Sequence, residues 1–457
     1  MKETTIIQIA EAVSGKLTQG GAGSTVTGVS TDSRATGKGD VFFALKGDKY
    51  DAHDFIPEAV KNGAGTVVVS RECGLPHDAG LNIITVDDTT KALQGLAKWY
   101  VSELGVRKVG ITGSTGKTTT KDMLAQICME KYNTGKTAGN LNNHIGLPLT
   151  LLSFDESTQV GVFEMGVEVI REMHMLADIA RPHIALITNI GVSHIASFGS
   201  RENILKGKME ITDFFSEEDL LIVNEENDLL TRENVSGAYR VLTVGSSGRS
   251  DYILGAVDDF GEDGIEFSLE RGKMSGRFKL GVPGRHNAIN ASLAIAAAME
   301  IGVSMEEAGR GLAKVSLMEN RLRLKGKDGI KVIDDTYNAS PDSMRAAIDL
   351  LQATRGMRKI AVLGDMLELG DDSKKYHRQI GGYAAQKGVD LLLLTGEMSA
   401  YAAEEAAVTM GELRVIYHRN PKKLEDQIKA IARPGDVILV KGSRGMAMEQ
   451  IVRKILG

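Results

Sequence analysis

A Gly-rich turn followed by a lysine and three threonines occupies residues 113–120, which read GSTGKTTT. An apolar, β-branched run, Val106–Ile111, precedes this turn, and a helix-like pattern, Lys121–Met129, follows it. A strand, a Gly-rich turn and a helix start form a cradle in which backbone N–H groups and the positive end of the helix dipole face an anion. In such a cradle Lys117 reaches the terminal phosphates of a nucleotide, and the Thr118 hydroxyl binds Mg²⁺.

The motif is shorter than the general phosphate loop, because position 111, where that loop has its first glycine, is an isoleucine. A plain glycine turn is the alternative, but the strand before the turn and the threonines after it favour nucleotide binding. The residues that we predict to bind ATP here are Gly113, Ser114, Thr115, Gly116, Lys117, Thr118 and Thr119.

Further polar residues follow strand-like runs in the middle of the chain. Glu164 ends the run Val160–Phe163, so it is either a second Mg²⁺ ligand beside Thr118 or a solvated strand end. His194 is either a metal ligand, a partner for phosphate, or a loop histidine with ordinary hydrogen bonds. Lys206 and Lys208 lie two residues apart, and their spacing alone favours a solvated helix face.

Three further polar clusters are candidates for ligand binding, and two of them have a local structural role as the alternative. The asparagines of residues 139–143 either bind a polar ligand or make turn hydrogen bonds. Asn287 and Asn290 lie at the start of an Ala-rich helix, where asparagine is most often a cap. The segment 334–338 follows the first strand of the last part of the chain, which is a crevice position in α/β proteins.

Composition limits the class of protein. The chain has 457 residues, so we expect about three domains, and its net charge of −6 gives no basic footprint for nucleic acid. The N-terminus shows no signal peptide, and no apolar run is long enough to span a bilayer. Cys73 and Cys128 are interpreted as buried thiols of a reducing compartment, so we expect a cytoplasmic protein.

Strand-like runs and helix-like patterns alternate along the chain and predict an α/β fold. The predicted strands are residues 41–45, 65–69, 82–88, 106–111, 160–163, 184–187, 220–223, 331–333, 359–363, 391–394, 414–417 and 437–440. The predicted helices are residues 55–62, 91–104, 121–129 and 288–300, with a further one that begins at Pro341 after the cap Ser340 and places Met344, Ile348 and Leu351 on one face.

These residues together resemble the Mur ligase family, the ATP-dependent enzymes that form amide bonds in peptidoglycan precursor synthesis. The similarity covers essentially the whole chain and is carried by six blocks. They are 31–34 (TDSR), 39–47 (GDVFFALKG), the phosphate loop, 139–148 (GNLNNHIGLP), 335–344 (DTYNASPDSM) and 441–446 (KGSRGM). The phosphate loop alone is shared with folylpolyglutamate synthetases.

The resemblance implies three domains: a small mixed α/β domain at residues 1–100 that binds the UDP-linked substrate, a central phosphate-loop mononucleotide-binding domain with a mostly parallel sheet at 101–316, and a C-terminal doubly wound, Rossmann-like domain at 317–457. It implies a cytoplasmic ligase, monomeric and without membrane insertion. This ligase joins D-alanyl-D-alanine to UDP-N-acetylmuramoyl-tripeptide through an acyl phosphate and releases ADP and phosphate.

The resemblance also implies roles for single residues. Lys117, His194 and Lys208 are expected to be catalytic, and Lys208 is expected to carry a carbamate, which makes it an anionic ligand for the second of two Mg²⁺ ions. The implied metal ligands are Thr118, Glu164, His194 and Lys208. The implied additional contacts to ATP are Asn287, Asn290, Arg321, Asp335 and Asn338, and the implied contacts to substrate are Thr31, Asp32, Ser33, Arg34, Asn140, Asn142 and Asn143.

The sequence departs from the family pattern in places. Residues 167–171 (VEVIR) lack the Gly-Glu pair that usually follows the strand carboxylate, and Ala52 stands where a glycine is expected. The Asp-Asn-Pro-Arg signature of the relatives that add diaminopimelate or lysine is absent. Two rivals remain: a folylpolyglutamate-type ligase with the same chemistry, and a nucleotide-switched binding protein without ligase activity.

Overall fold

The computed structural model describes residues 1–74, 80–315 and 323–457. The first part of the chain forms a small mixed sheet in which four parallel strands are joined by one antiparallel edge strand, in the order β2-β7-β6-β5-β4. Its elements are β1 (Thr4–Thr5), α1 (Ile6–Ala12), β2 (Lys16–Gln19), β3 (Thr25–Val26), β4 (Gly28–Ser30), β5 (Asp40–Phe43), α2 (Ile56–Asn62), β6 (Thr66–Val69), β7 (Asn82–Thr85) and α3 (Thr89–Ser102).

The middle of the chain builds a nine-stranded sheet in the order β16-β15-β14-β13-β12-β11-β8-β10-β9. Its elements are β8 (Arg107–Thr112), α4 (Lys117–Cys128), β9 (Thr134–Lys136), α5 (Gly146–Leu152), β10 (Val160–Glu164), α6 (Glu172–Ala180), β11 (Ile184–Ile187), α7 (Ile195–Phe198), α8 (Arg201–Met209), β12 (Leu220–Asn224), α9 (Arg232–Val235), β13 (Arg240–Gly245), β14 (Tyr252–Asp259), β15 (Ile265–Arg271), β16 (Met274–Leu280), α10 (His286–Glu300) and α11 (Met305–Leu312).

The central parallel strands β8, β10, β11 and β12 are buried on both faces, which is why they read as continuous apolar runs. Along β8, Val109 and Ile111 pack with α4 and α10 on one face, while helices such as α6 cover the other. The antiparallel extension β14-β15-β16 was not predicted from the sequence. Its strands have half-exposed, mixed patterns that resemble loops.

The last part forms a six-stranded sheet in the order β17-β18-β22-β19-β20-β21, parallel except for the edge strand β17. Its elements are β17 (Arg323–Lys327), β18 (Ile330–Asp335), α12 (Pro341–Ala353), β19 (Arg358–Gly364), α13 (Ser373–Gln386), β20 (Leu391–Thr395), α14 (Ser399–Met410), β21 (Val415–His418), α15 (Pro421–Ile431), β22 (Asp436–Lys441) and α16 (Glu449–Leu456). Helices α12, α13 and α14 pack on one face and α15 and α16 on the other, so the sheet is doubly wound.

The predicted α/β class, with mostly parallel sheets in three parts, is confirmed. α12 begins at Pro341 as predicted and buries Met344, Ile348 and Leu351. α4 begins at Lys117, four residues before the predicted start, because the helix grows directly out of the glycine turn. The predicted divisions of the chain after residues 100 and 316 stay predictions; α3 runs across the first, and the second lies outside the described residues.

The two cysteines differ in burial. Cys128 is buried, as expected, but Cys73 is only partly buried.

Among the helices of the described residues, none combines the length and the apolar composition that crossing a membrane requires.

Candidate active site

A cavity of about 550 Å³ lies at the carboxyl ends of the central parallel strands, between them and the last part of the chain. Such an edge is where α/β proteins bind ligands, because the helices that follow the strands begin there. Its lining includes the phosphate loop, residues 140–143, the segments that follow β10 and β11, the start of α10, the segment 335–346, and Lys441. The cavity therefore joins residues that lie more than three hundred positions apart in the sequence.

The phosphate loop takes a conformation that its two glycines make possible. Gly113 and Gly116 have φ angles of +150° and +79°. A Cβ on Gly113 would lie 1.9 Å from the Thr188 hydroxyl oxygen, and one on Gly116 would lie 2.8 Å from Asn290 Oδ1. No side chain caps α4, which begins directly after Gly116, so the N–H groups of its first turn are left for an anion.

The segment after β11 fixes this loop from the side. The Thr115 N–H donates to Asn189 Oδ1 at 2.8 Å, and the Asn189 side-chain amide donates to the Thr115 hydroxyl at 2.8 Å. The Ser114 N–H donates to the Asn189 carbonyl at 3.0 Å, and the Gly191 N–H donates to the Ser114 hydroxyl at 2.9 Å. Asn189 was not predicted from the sequence; its place just after a buried strand was the available signal.

Thr118 and Glu164 bring their side-chain oxygen atoms close together in the site. The Thr118 hydroxyl donates to Glu164 Oε2 at 2.7 Å, and both side chains are buried. Asn142 Nδ2 donates to the other carboxylate oxygen at 2.7 Å, and the Glu164 N–H donates to the Thr137 hydroxyl. Glu164 is therefore not the solvated strand end that the sequence left open.

Two lysines of the site lie in different environments. Lys117 donates to the Gly113 carbonyl at 2.8 Å, so its amine lies over the phosphate loop. Lys208 is 2% exposed, and burial together with the charge of Lys117 lowers the pKa of its amine well below the ordinary value. The expectation from spacing that both Lys206 and Lys208 are solvated is wrong for Lys208, whereas Lys206 is exposed.

A further buried lysine, Lys121, was not predicted from the sequence. Lys121, on α4, is 1% exposed and donates to the Thr137 carbonyl at 2.9 Å. Burial lowers its pKa, and the negative charges of Asp122 and Glu164 oppose that shift. Lys121 thus ties α4 to the segment whose Thr137 hydroxyl also holds the backbone of Glu164.

His194 lines the cavity and also contacts the last part of the chain. Its Nδ1 atom lies 2.5 Å from Oε2 of Glu368, which follows β19. Burial lowers the pKa of His194, while the Glu368 carboxylate acts in the opposite direction. The sequence could not reveal this pair, because nothing in either segment marks the other as its neighbour.

The remaining predicted ATP residues have clear positions, apart from Arg321, which lies outside the described residues. Asn287 and Asn290 are buried in the first turns of α10, and Asn290 Nδ2 donates to Asn287 Oδ1 at 3.1 Å. They are not at the cap position, which Arg285 occupies. Lys441, which was not predicted, contacts Asp335 at 2.5 Å and donates to the Asn338 carbonyl at 2.8 Å.

The predicted substrate residues divide into two groups. Asn140, Asn142 and Asn143 line the cavity, and Asn143 Oδ1 also accepts the N–H groups of Ile145 and Gly146 at the start of α5. The other group, Thr31, Asp32, Ser33 and Arg34, follows β4 and does not line the cavity.

Within that second group the contacts are local. Arg34 donates to both carboxylate oxygens of Asp32, at 2.9 and 2.7 Å, and these hydrogen bonds lower the pKa of Asp32 to about 2. The Ser33 hydroxyl donates to Glu58 at 2.5 Å. The structure thus does not bring residues 31–34 together with the nucleotide cavity.

Three family models match successive parts of the chain. The model "Mur ligase family, catalytic domain" matches residues 25–100, "Mur ligase middle domain" matches residues 111–298, and "Mur ligase, glutamate ligase domain" matches residues 320–444. Together they cover well over half of the chain.

Named relatives match over the full length. The chain is 40% identical to UDP-N-acetylmuramoyl-tripeptide–D-alanyl-D-alanine ligase of Bacillus subtilis (strain 168), covering 100% of this chain and 99% of the relative. It is similar to a crystal structure of MurF from Acinetobacter baumannii, with a TM-score of 0.89, 31% identity, and coverage of 100% and 99%. It is also similar to MurF ligase from Thermotoga maritima in complex with ADP, with a TM-score of 0.80, 29% identity, and coverage of 93% and 96%.

Proposed function

Because this chain belongs to the Mur ligase family, we propose that it is an ATP-dependent ligase that joins D-alanyl-D-alanine to UDP-N-acetylmuramoyl-tripeptide in peptidoglycan precursor synthesis. The observation that carries the proposal is the phosphate-loop cavity, which is lined by Lys117 and the Thr118–Glu164 pair. The full-length similarity to relatives of that name supports it. The 40% identity over the whole chain favours this substrate pair over that of a folylpolyglutamate-type ligase.

The reaction has two steps. A carboxylate oxygen of the tripeptide's terminal residue attacks the γ-phosphorus of ATP, the bond between that phosphorus and the β–γ bridging oxygen breaks, and ADP leaves. The amine of D-alanyl-D-alanine then attacks the carbonyl carbon of the acyl phosphate. The carbon–oxygen bond to phosphate breaks, phosphate leaves, and the amine nitrogen loses a proton. Both steps build negative charge on oxygen atoms.

The chain's own groups are placed to stabilise that charge. Lys117 and the uncapped N-terminus of α4 lie at the phosphate loop, where we propose that the transferred phosphoryl group binds, and fixed donors of this kind need no reorganisation during the reaction. Asp335 and Asn338, from the last part of the chain, line the same cavity and are proposed to contact ATP. Closure of the last part of the chain over the cavity would also keep water from the acyl phosphate.

Mg²⁺ is the metal that the family implies, and the residues present fit it. Thr118 and Glu164 offer hard oxygen donors 2.7 Å apart at the end of the phosphate loop. The described residues contain no cluster of three His, Cys, Asp or Glu side chains that could hold a metal alone, which suits an ion that takes its other ligands from phosphates and water. When bound, Mg²⁺ neutralises phosphate charge.

A carbamate on Lys208 is part of the proposal. Burial lowers the pKa of the Lys208 amine well below its ordinary value, which favours the neutral form, and a neutral amine is the form that adds CO₂. The side-chain amine of Lys208 makes no hydrogen bond or ion pair with the described residues. A carbamate there would supply the anionic oxygens that a second Mg²⁺ needs, with His194 as the nitrogen ligand.

We further propose that residues 31–34 bind the UDP part of the substrate, and that the enzyme acts as a cytoplasmic monomer without nucleic acid or membrane insertion. UDP-linked precursors and ATP are both available in the cytoplasm, and the net charge of −6 gives no attraction to nucleic acid.

The direct test is a ligation assay with ATP, Mg²⁺, UDP-N-acetylmuramoyl-tripeptide and D-alanyl-D-alanine, read by mass spectrometry. The proposed function predicts a product whose mass is that of both substrates less one water, formed only when ATP is present. Separate assays with the lysine and diaminopimelate forms of the tripeptide identify the third residue. Absence of product with both forms, while ATP still binds, would contradict the proposal.

A further inference from the structure

The segment that contains His194 is hydrogen-bonded to the phosphate loop. Asn189 and Gly191 hydrogen-bond to the phosphate loop, and the Ser193 hydroxyl donates to the Ser114 carbonyl at 3.3 Å. The backbone of His194 therefore has its position set by the loop that is expected to hold the phosphates.

The other side of His194 is formed by residues from the last part of the chain. Nδ1 lies 2.5 Å from Oε2 of Glu368, and the N–H of Ala196 donates to the carbonyl of Glu368 at 3.3 Å. Gly370 packs against Ala196: a Cβ built on Gly370 would lie 3.4 Å from the Ala196 Cα. Glu368 is thus positioned by main-chain contacts as well as by its carboxylate.

Both partners have unusual backbones. His194 has φ +59° and Glu368 has φ +64°, in the left-handed region that non-glycine residues seldom occupy. Such conformations persist only where the surroundings impose them, and they concentrate at functional sites. The side chains of His194 and Glu368 are 24% and 56% exposed, so the pair is not a core contact on which folding depends.

We propose that Glu368 is a positioning residue for His194. A carboxylate beside Nδ1 favours the tautomer with the proton on Nδ1, which leaves the Nε2 lone pair free. Nε2 has no hydrogen-bond partner among the described residues, and His194 lines the cavity. Glu368 comes from the last part of the chain, so the imidazole is oriented for its ligand only when that part is docked on the phosphate-loop domain.

This inference rests on the proposed metal role of His194 and deepens it. Docking of the last part would then complete the metal site as well as shield it. The chain offers a matched control: His174 Nδ1 lies 2.6 Å from Asp213 Oδ2, with both side chains about one-third exposed, and neither residue lines the cavity. Asp213→Ala therefore removes a histidine's carboxylate partner away from the site.

The experiment measures the affinity of Mn²⁺, in the presence of ADP, by electron paramagnetic resonance in four proteins: wild type, Glu368→Ala, Glu368→Gln and Asp213→Ala. Loss of the group that orients a metal-binding histidine typically weakens metal affinity about 10–100-fold. We expect about tenfold weakening for Glu368→Ala, less for Glu368→Gln, which keeps an acceptor oxygen, and no change for Asp213→Ala. The ¹⁵N shifts of His194 should show the Nδ1-protonated tautomer in wild type and a mixture in Glu368→Ala.

A double-mutant cycle separates positioning from a general structural effect. If Glu368 acts through His194, then Glu368→Ala adds no further loss of Mn²⁺ affinity to His194→Ala. Additive losses, unchanged affinity in Glu368→Ala or in His194→Ala, or an unchanged His194 tautomer would each overturn the proposal. None of these readouts requires ligation, so absence of ligase product in wild type would contradict the proposed function alone.

Discussion

The nucleotide cavity and the loop at residues 31–34 are built in opposite ways. In the cavity, Glu164 is buried and receives hydrogen bonds from Thr118 and Asn142, which lie 46 and 22 positions away in the sequence. In the loop, Asp32 is paired with Arg34, two positions away, and both side chains are well exposed. One site depends on the tertiary fold, whereas the other depends mainly on its own turn.

The difference is consistent with the roles that we propose for the two sites. Charge stabilisation during phosphoryl transfer requires donors that are fixed before the reaction, and buried long-range hydrogen bonds provide that rigidity. Binding the UDP part of a substrate requires only accessible charges that exchange a local partner for a ligand. Variants in the cavity should therefore change turnover, and variants in the loop should change little beyond substrate affinity.

The largest effect is expected for Lys117→Ala. Removing one preorganised charge stabiliser typically lowers kcat by about 10²–10³-fold. The side chain is only partly buried, so the melting temperature should stay close to that of wild type. Steady-state kinetics of ADP release check the prediction, and near-normal turnover in the folded variant would contradict the assigned role.

Lys208→Ala should reduce kcat by about 10²-fold, because it removes the proposed carbamate and its charge. Short carboxylates such as acetate should restore part of the activity, since they can occupy the vacated position. Lys206→Ala is the matched control, two residues away and exposed, and should be nearly normal. Equal behaviour of the two variants, or an intact-protein mass without added CO₂ in active enzyme, would contradict the carbamate.

Asn338→Ala should reduce kcat by roughly 10–100-fold while leaving the affinity for UDP-tripeptide almost unchanged, because we propose that ATP and the UDP part of the substrate bind at separate regions. Asn338 is exposed, so the variant should fold normally. Isothermal titration with UDP-tripeptide and kinetics with ATP separate the two quantities. A large loss of UDP-tripeptide affinity would contradict the proposed separation of roles between the cavity and the loop at residues 31–34.

The smallest effect concerns the pH dependence of Asp32. Its folded-state pKa is lowered to about 2 from 3.8 by the Arg34 hydrogen bonds, so the pair stabilises the fold above about pH 4 and loses that contribution as the pH falls toward 2. Exposed pairs contribute little. Asp32→Asn should therefore lower the melting temperature by about 2 °C or less at pH 6, and the difference should shrink at pH 3. A difference that grows on acidification would contradict this sign.

Predictions from the sequence were most successful for features formed by residues that lie close together in the chain. The phosphate loop lies within eight consecutive residues, so its glycines, lysine and threonine could be interpreted without knowing the fold. Most strands of the parallel sheets were predicted because burial on both faces gives continuous apolar runs. The parallel strands β4, β9 and β13, which are partly exposed, were not predicted. The spacing of Lys206 and Lys208 did not show which of the two is buried, because two residues span about half a turn of helix and so place one lysine in solvent and the other in the core.

Long-range pairs could not be predicted in the same way. Lys441 meets Asp335 across 106 positions because β18 and β22 are neighbours in the sheet, a fact of topology and not of local pattern. The His194–Glu368 contact depends on how two sheets dock. Resemblance to a family named Asp335 as an ATP contact, but it did not identify Lys441 as its partner.

The most direct test of the proposed acyl-phosphate mechanism uses an ¹⁸O label to trace one oxygen atom from the tripeptide to phosphate. UDP-N-acetylmuramoyl-tripeptide labelled with ¹⁸O in its terminal carboxylate is incubated with enzyme, ATP, Mg²⁺ and D-alanyl-D-alanine, and the released phosphate is analysed by mass spectrometry. If ATP activates that carboxylate as an acyl phosphate in the cavity, each phosphate released during ligation carries one ¹⁸O atom from the tripeptide. Unlabelled phosphate, or phosphate released at the same rate without the tripeptide, would contradict the account.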